Sequence, residues 1–305
     1  MKINFELPGG GRSADQAAVQ ARVHGETDRL TDVILCAPDY LVPVPCCSVT
    51  LESIRDGFDT STSAALQQHS ALRQALVEQG VTCHDLPPAP DMPDLCFTRD
   101  IAVTTPWDLV GLSPAMPHRR DEADHLVRTA ERITSGTVAR VDTGLIEGGD
   151  VCVARPGLLI VGVSGERTDD RGAAAFSSRF EAEGWKVLLY RFDPHFLHLD
   201  TIFCMVGPNR ALACTEVLDD AFLGAVAAEG IDVLPVTYKE ARRLGCNIVA
   251  IDEHTVLANA ATPRVTAMLR DRDLVVIELN IDQFAACGGG LHCLTMPLRR
   301  EAIVR

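Results

Sequence analysis

The sequence contains no apolar run as long as a membrane span, and its first residues, MKINFELPGGGRSADQ, lack the apolar core of a signal peptide. We therefore expect no membrane segment and no cleaved leader. Basic residues are also few: 28 Lys and Arg stand against 42 Asp and Glu, which gives a net charge of −14. This balance disfavours a nucleic-acid partner, because phosphates require a basic face. It suits a small cationic ligand, since a negative cleft concentrates cations.

The cysteines lack the spacing of a disulfide framework or a zinc ribbon. There are eleven of them, an odd number, and no two have C-x-x-C spacing. Disulfides persist in oxidising compartments, so this pattern favours a reducing environment. We expect a cytoplasmic protein.

A hairpin pattern recurs at intervals of about fifty residues. Four segments read as two short strands around a turn, and each begins beside a polar residue. These residues are Asp100, Asp150, Asp200 and Asn247, at steps of 50, 50 and 47 residues. A further step of 46 residues reaches Cys293, which follows three glycines in GGGLHCLTMPLRR. Glycine permits close backbone approach, so such a loop can place a cysteine in a cleft.

Each hairpin is followed by a helical stretch and one more strand, so the repeating unit is strand, strand, helix, strand. The unit occurs four times in full. The strand around Val33 and the strand near Cys293 can complete a fifth unit. This predicts an α/β fold of the five-bladed αβ propeller type, in which radial repetition protects the strand edges. A doubly wound parallel sheet is the alternative, but four hairpins fit it poorly. We expect a single catalytic domain over residues 29–305, preceded by an N-terminal arm over residues 1–28.

Equivalent strand starts in a ring converge on its axis, so the polar residues of the repeat are expected to form one central site. A cysteine thiolate is a strong nucleophile, and a histidine beside it can carry protons. Several carboxylates beside a thiolate suit a guanidinium, whose planar N–H donors they bind in pairs. The residues expected to gather are Asp100, Glu147, Asp150, His198, Asp200, Asn247 and Cys293.

A metal site is the alternative chemistry. His195, His198, Asp200 and Cys293 are all ligand types that zinc accepts. The sequence contains no H-E-x-x-H motif, and the H-x-x-H-x-D pattern is weak by itself. The metal site is therefore the less favoured interpretation.

Four motifs, PDLCFTRD, EGGD, HLDTIF and GGGLHCLTMPLRR, resemble those of the guanidino-group-modifying superfamily, also called penteins. This superfamily includes arginine and agmatine deiminases, dimethylarginine dimethylaminohydrolases and amidinotransferases. The resemblance extends from about Leu30 to Arg300. It implies the five-bladed αβ propeller, a reaction without a metal or a cofactor, and a small guanidino substrate. The sequence leaves a homodimer open.

The resemblance also implies roles for individual residues. Cys293 would attack the guanidino carbon and form a thiouronium-type intermediate, and His198 would protonate the departing amine and later activate water. Glu147 would bind the guanidinium and orient His198. The residues expected to bind substrate are Asp100, Asp200, Asp150 and Asn247, with Arg167 at a position that holds the substrate carboxylate in some members.

These motifs indicate the superfamily and leave the individual reaction open. The first hypothesis is hydrolysis of arginine or a substituted arginine to a ureido product such as citrulline. The second is transfer of the amidino group from arginine to an amine. Glu147 favours hydrolysis, because amidinotransferases usually carry Asp there. A third hypothesis is a binding protein without turnover, which the presence of Cys293, His198 and Glu147 together argues against.

Overall fold

The strands of the protein form five three-stranded sheets that share one connectivity. The computed structural model describes residues 18–302. In each sheet the middle strand pairs antiparallel with its first neighbour and parallel with its second. In the order first neighbour, middle, second neighbour, the strands are Ala102–Thr104, Leu109–Gly111 and Val138–Arg140; Val151–Arg155, Leu158–Val163 and Lys186–Arg191; Phe203–Gly207, Arg210–Cys214 and Asp232–Val236; Val249–Ala250, Thr255–Asn259 and Val275–Leu279; Met296–Glu301, Arg29–Cys36 and Thr82–Leu86.

One helix connects the middle strand of each sheet to its parallel neighbour. These five helices are Arg120–Ile133, Asp170–Ala182, Asp220–Ala228, Pro263–Arg270 and Thr62–Glu78. Three of them begin at a capping side chain, Ser61, Asp169 or Asp219, which accepts a hydrogen bond from a backbone N–H of the first turn. The shorter helices are Ser48–Arg55, Tyr238–Ala241 and Asp282–Ala286, with 3₁₀ turns at Thr98–Ile101, Pro117–Arg119, Gly148–Asp150 and Leu199–Thr201.

The fifth sheet joins the two ends of the described chain. Met296–Glu301 pairs antiparallel with Arg29–Cys36, and Met296 lies opposite Ile34. The prediction that the first and last strands complete a fifth unit is therefore confirmed. The doubly wound alternative is wrong, because the strands form five separate sheets that each contain an antiparallel pair.

Each sheet is buried on both faces. The strand Leu158–Val163 is buried at every position, although successive side chains point to opposite faces. Ile160 packs in the same apolar cluster as Phe203 of the following sheet. Val161 packs with Phe176 of the helix that belongs to its own unit. The short runs of apolar residues thus satisfy two neighbours at once. Within residues 18–302, no helix is long and apolar enough to cross a membrane.

The predicted N-terminal arm lies only partly within the described residues. Residues 1–17 lie outside them. Val19–Gln20 pairs in parallel with Thr134–Ser135, and Glu26 is buried in an ion pair with Arg99. Residues 19–26 thus contact the rest of the fold. The domain boundary at residue 29 stays a prediction.

Candidate functional site

Three 3₁₀ turns bring the repeat's aspartates to one place. Asp100, Asp150 and Asp200 each lie in the turn that precedes the first strand of a sheet. The turn Thr98–Ile101 contacts Gly148–Asp150, and this turn in turn contacts Leu199–Thr201. The fifty-residue step therefore corresponds to one structural position repeated in successive sheets.

Cys293 lies at the corresponding position before the last strand and is 1% exposed. Its Sγ accepts a hydrogen bond from Asn247 Nδ2 at 3.3 Å and lies 3.6 Å from Asp200 Oδ2. The preceding glycines are required by packing. A Cβ on Gly289 would lie 2.2 Å from the ring of Phe97, and one on Gly290 would lie 2.4 Å from Asn247 Oδ1. The triple glycine thus lets the cysteine loop approach two other elements closely.

His198 is buried between two carboxylates. Its Nε2 lies 2.6 Å from Glu147 Oε2, and its Nδ1 lies 3.7 Å from Asp100 Oδ1. Burial alone would lower the pKa of His198, but the charge of Asp100 and the hydrogen bond to Glu147 outweigh it and raise the pKa to about 10. His198 therefore carries a proton at neutral pH.

Glu147 holds His198 from behind. Its Oε1 accepts a hydrogen bond from the backbone N–H of Ala115 at 2.9 Å, and its Oε2 lies 3.6 Å from Arg167 Nη1. Burial opposes ionisation, but the hydrogen bond and charge of His198 prevail and lower the pKa of Glu147 to about 2. The pair is thus a carboxylate bound to an imidazolium.

One narrow cavity connects the cysteine and the histidine. Its wall includes the side chains predicted to act on or bind substrate at Cys293, His198, Asp100 and Arg167. The remaining lining residues are Cys46, Cys47, Asp94, Phe97, Arg119, Leu197, Cys287, Gly288 and Gly289. The cavity therefore brings together polar groups from four of the five sheet units.

Other predicted residues lie behind this wall. Asp150 Oδ1 accepts a hydrogen bond from the backbone N–H of Leu199 at 2.8 Å, and burial raises the pKa of Asp150 to about 7. Asn247 Oδ1 accepts a hydrogen bond from the backbone N–H of His292 at 2.9 Å. Asp200 contacts Cys293 and also lines a second small cavity on the far side. These residues support the site without being among the residues that line the main cavity.

Two carboxylates of the site keep an oxygen without a hydrogen-bond partner among residues 18–302. These oxygens are Asp100 Oδ1 and Asp200 Oδ1, and both are buried. Asp100 Oδ2 accepts from Arg119 Nη1 at 2.6 Å, so only half of that carboxylate is satisfied. Burial, more than any other cause, raises the pKa of Asp100. A ligand with several N–H donors would satisfy such oxygens.

The same burial raises the pKa of the Cys293 thiol well above its usual range. The negative charges of Asp200 and Asp100 raise it further, while hydrogen bonds from the Gly290 backbone and Asn247 oppose the shift. Without a cation beside it, this thiol is protonated at neutral pH. The site is therefore suited to a cationic ligand that neutralises the two carboxylates.

Sequence analysis missed a buried charged group on the far side of Cys293. His292 Nδ1 lies 2.9 Å from Asp200 Oδ2, and its Nε2 lies 3.4 Å from Glu26 Oε2. Glu26 in turn pairs with Arg99. His292 and Arg99 adjoin residues that the repeat singled out, and this adjacency was the only available signal for them. Arg119, which binds Asp100, has no place in the repeat.

The metal site considered from the sequence is not assembled. His195 Nε2 lies 3.1 Å from Tyr238 Oη, and His195 is not among the residues that line the cavity. Within residues 18–302, the side chains whose ligand atoms lie close enough for a metal are Cys46, Asp94 and His118. The predicted combination of His195, His198, Asp200 and Cys293 is not such a group.

Comparison with known proteins agrees with this site. The chain matches the family model described as N,N dimethylarginine dimethylhydrolase, eukaryotic, over residues 50–300. It is 28% identical to the uncharacterized protein YkgA of Bacillus subtilis, over 90% of this chain and 94% of that protein. It is also 28% identical to an arginine deiminase of Mycobacterium bovis, over 70% of this chain and 62% of the deiminase.

Solved structures share the fold. A cysteine-to-serine variant of dimethylarginine dimethylaminohydrolase from Pseudomonas aeruginosa, complexed with citrulline, superposes with a TM-score of 0.74 at 23% identity and covers 88% of this chain and 99% of its own. The amidinotransferase SxtG from Microseira wollei superposes with a TM-score of 0.77 at 16% identity, over 93% and 98% of the two chains. Since the family model spans most of the sequence, the chain belongs to the N,N dimethylarginine dimethylhydrolase family within the guanidino-modifying pentein superfamily.

Proposed function

We propose that the protein hydrolyses the guanidino group of arginine or a substituted arginine and releases a ureido product such as citrulline. The observation that carries this proposal is one buried cavity that joins Cys293 to a histidine held by Glu147 and to the unsatisfied carboxylate of Asp100. Nucleophile, proton carrier and cation-binding group are thereby within reach of one small planar substrate.

The guanidinium would lie between Asp100 and Asp200. Each of these carboxylates has a buried oxygen without a hydrogen-bond partner in the described chain, and a guanidinium offers N–H donors in a plane. Its positive charge would offset the two negative charges that raise the pKa of Cys293. Substrate binding would therefore favour the thiolate at the moment when its target is in place.

The reaction would then proceed in two stages. The Cys293 thiolate forms a C–S bond to the guanidino carbon, the bond from that carbon to the departing amine breaks, and His198 gives its proton to the amine. A thiouronium intermediate remains on Cys293. His198 next takes a proton from water, the resulting hydroxide attacks the carbon, and the C–S bond breaks. The ureido product leaves and the thiolate returns.

Residues around the cavity would hold and orient these groups. Arg167 lines the cavity and donates a hydrogen bond to the backbone oxygen of Cys46 at 2.5 Å, which leaves it placed to meet a substrate carboxylate. Asp150 and Asn247 would act by positioning the His198 turn and the Cys293 loop, which they contact. Neither a metal nor a cofactor takes part in these steps.

We extend the proposal to the arrangement of the five sheets, which would surround the site as blades of an αβ propeller. Edge strands of different sheets contact one another. Met296–Glu301 contacts Ala102–Thr104, and Phe203–Gly207 contacts both Val151–Arg155 and Val249–Ala250. The cytoplasmic location and the homodimer stay predictions from the sequence.

Product identification tests the function. Purified protein would be given arginine, methylated arginines or agmatine, each with and without glycine, lysine or ornithine, and the products would be identified by mass spectrometry. We expect a ureido product without an added amine. A new guanidino compound formed only with an amine would contradict hydrolysis and establish an amidinotransferase. No conversion together with tight guanidino binding would establish a binding protein.

Gly149→Ala is expected to lower kcat by at least about tenfold. A Cβ at this position would lie 2.6 Å from His198 Nδ1, closer than side-chain carbons approach other atoms, so the imidazole must move away from Glu147. Gly224→Ala is the matched control, because nothing lies within 4 Å of its added methyl. Steady-state kinetics and thermal unfolding of both variants provide the measurement. Equal kcat in the two variants would contradict a precise placement of His198.

A further inference from the structure

Three side chains at the cavity entrance combine a thiol, a carboxylate and an imidazole. Cys46, Asp94 and His118 each offer one ligand atom, and these atoms all lie within 4.8 Å of one another. His118 Nε2 and Asp94 Oδ2 are 2.7 Å apart. Cys46 precedes the helix Ser48–Arg55, whereas Asp94 and His118 lie on either side of the first hairpin, so the group depends on the folded chain.

The group lies on the outer part of the cavity. Cys46 and Asp94 both line it, together with Cys293. Cys46 and His118 are half-buried, whereas Cys293 and His198 are almost fully buried. A bound ion would therefore lie between the solvent and the nucleophile.

The donor set suits zinc. A zinc ion binds sulfur at about 2.3 Å and nitrogen or oxygen at about 2.0–2.2 Å, so tetrahedral ligands lie about 3.3–3.8 Å apart. The three atoms are already close to that spacing, and small rotamer changes would complete it. Thiolate and imidazole together favour zinc over magnesium or calcium, which prefer oxygen ligands. Three protein ligands leave a fourth position for water.

Two arginines near the group are already neutralised by carboxylates. Arg119 donates to Asp100 at 2.6 Å and to Glu122 at 2.8 Å. Arg167 lies 3.6 Å from Glu147. Their charges are therefore compensated locally and offer limited repulsion to a cation beside Asp94.

We propose that Cys46, Asp94 and His118 form a zinc site at the entrance of the cavity, and that zinc bound there blocks the substrate. The ion occupies the path to Cys293 and engages Asp94, which otherwise presents its charge to an incoming cation. Zinc thus inhibits reversibly and in competition with substrate, and takes no part in turnover. The inhibition rests on the proposed function, whereas zinc binding itself does not.

Direct metal binding tests the site independently of activity. The full chain, freed of metal with a chelator, is titrated with Co²⁺, whose thiolate charge-transfer absorption reports a cysteine ligand, and then with Zn²⁺ against a chromophoric chelator. We expect one zinc per chain, and at least about tenfold weaker binding in His118→Ala. His125→Ala is the matched control, because His125 binds only the backbone oxygen of Pro87 at 2.8 Å. Cys46→Ser should lose the charge-transfer band.

Cys293→Ser separates this site from the proposed nucleophile. We expect that variant to bind zinc like the wild type, and we expect zinc inhibition of the wild type to weaken in His118→Ala with kcat unchanged. Loss of zinc binding in Cys293→Ser would overturn the proposal, because the ion would then lie on the nucleophile. Unchanged affinity in both His118→Ala and Cys46→Ser, or no zinc binding by the wild type, would overturn it as well.

Discussion

Replacing Cys293 by serine is expected to lower kcat by about 10⁴-fold or more while the protein remains folded. A serine hydroxyl is far less acidic than a thiol, and the carboxylates of Asp200 and Asp100 next to it disfavour the alkoxide. The change in volume is small, so Asn247 can keep its hydrogen bond to the side chain. Substrate should still bind, because the carboxylates that hold the guanidinium are unchanged.

The measurement combines steady-state kinetics with mass spectrometry of the intact protein after rapid acid quench. Wild-type protein should carry a covalent adduct during turnover, and Cys293→Ser should carry none. Cys83→Ser is the control, since Cys83 lies in the strand Thr82–Leu86 and is not among the residues that line the cavity. Near-normal kcat in Cys293→Ser, or an adduct mapped to Cys46 or Cys47, would contradict the assignment of the nucleophile.

The repeat was visible in the sequence because each unit must solve the same folding problem. A hairpin, a helix and a parallel strand form one sheet with its cover, and the turn that opens the unit recurs at one position. Asp100, Asp150 and Asp200 could therefore be placed in equivalent turns from spacing alone, and their turns do contact in succession. The strand alternation also predicted the pairing of the first and last strands.

Contacts that cross between units could not be read from spacing. Glu26 lies 73 residues from Arg99 in sequence, yet the two form a buried ion pair. Arg119 lies between a hairpin and a helix, where an exposed arginine is ordinary, and only the fold shows that it binds Asp100. Burying either arginine requires a nearby carboxylate, and local pattern gives no information about which one.

The same limit applies to the role of each repeated polar residue. Asp100 lines the cavity, whereas Asp150 binds a backbone N–H behind it. Both begin equivalent strands, and their different surroundings come from loops of unequal length in the two units. Spacing predicts the position of the turn, and packing decides which side chain faces the substrate.

Replacing His198 by alanine is expected to lower kcat by about 10²–10⁴-fold for arginine-type substrates. The departing amine is a poor leaving group unless it receives a proton, and His198 is the protonated side chain that lines the cavity beside Asp100. Its pKa of about 10 keeps the proton available across the neutral range. For the first stage, wild-type activity should therefore fall only as the pH rises through that value, because the acid is then lost.

An S-alkylisothiourea analogue of arginine distinguishes proton donation from a structural role. Its thiolate departs without a proton, so formation of the covalent adduct by His198→Ala should be impaired much less with this analogue than with arginine. Glu147→Gln should show the same selectivity more weakly, because it removes the charge that holds the imidazolium. His195→Ala is the control, since His195 binds Tyr238 outside the cavity. Equal losses with both substrates would mean that His198 shapes the site without supplying the proton, and proton transfer would then have to come from another group beside Cys293, of which His292 is nearest in the chain.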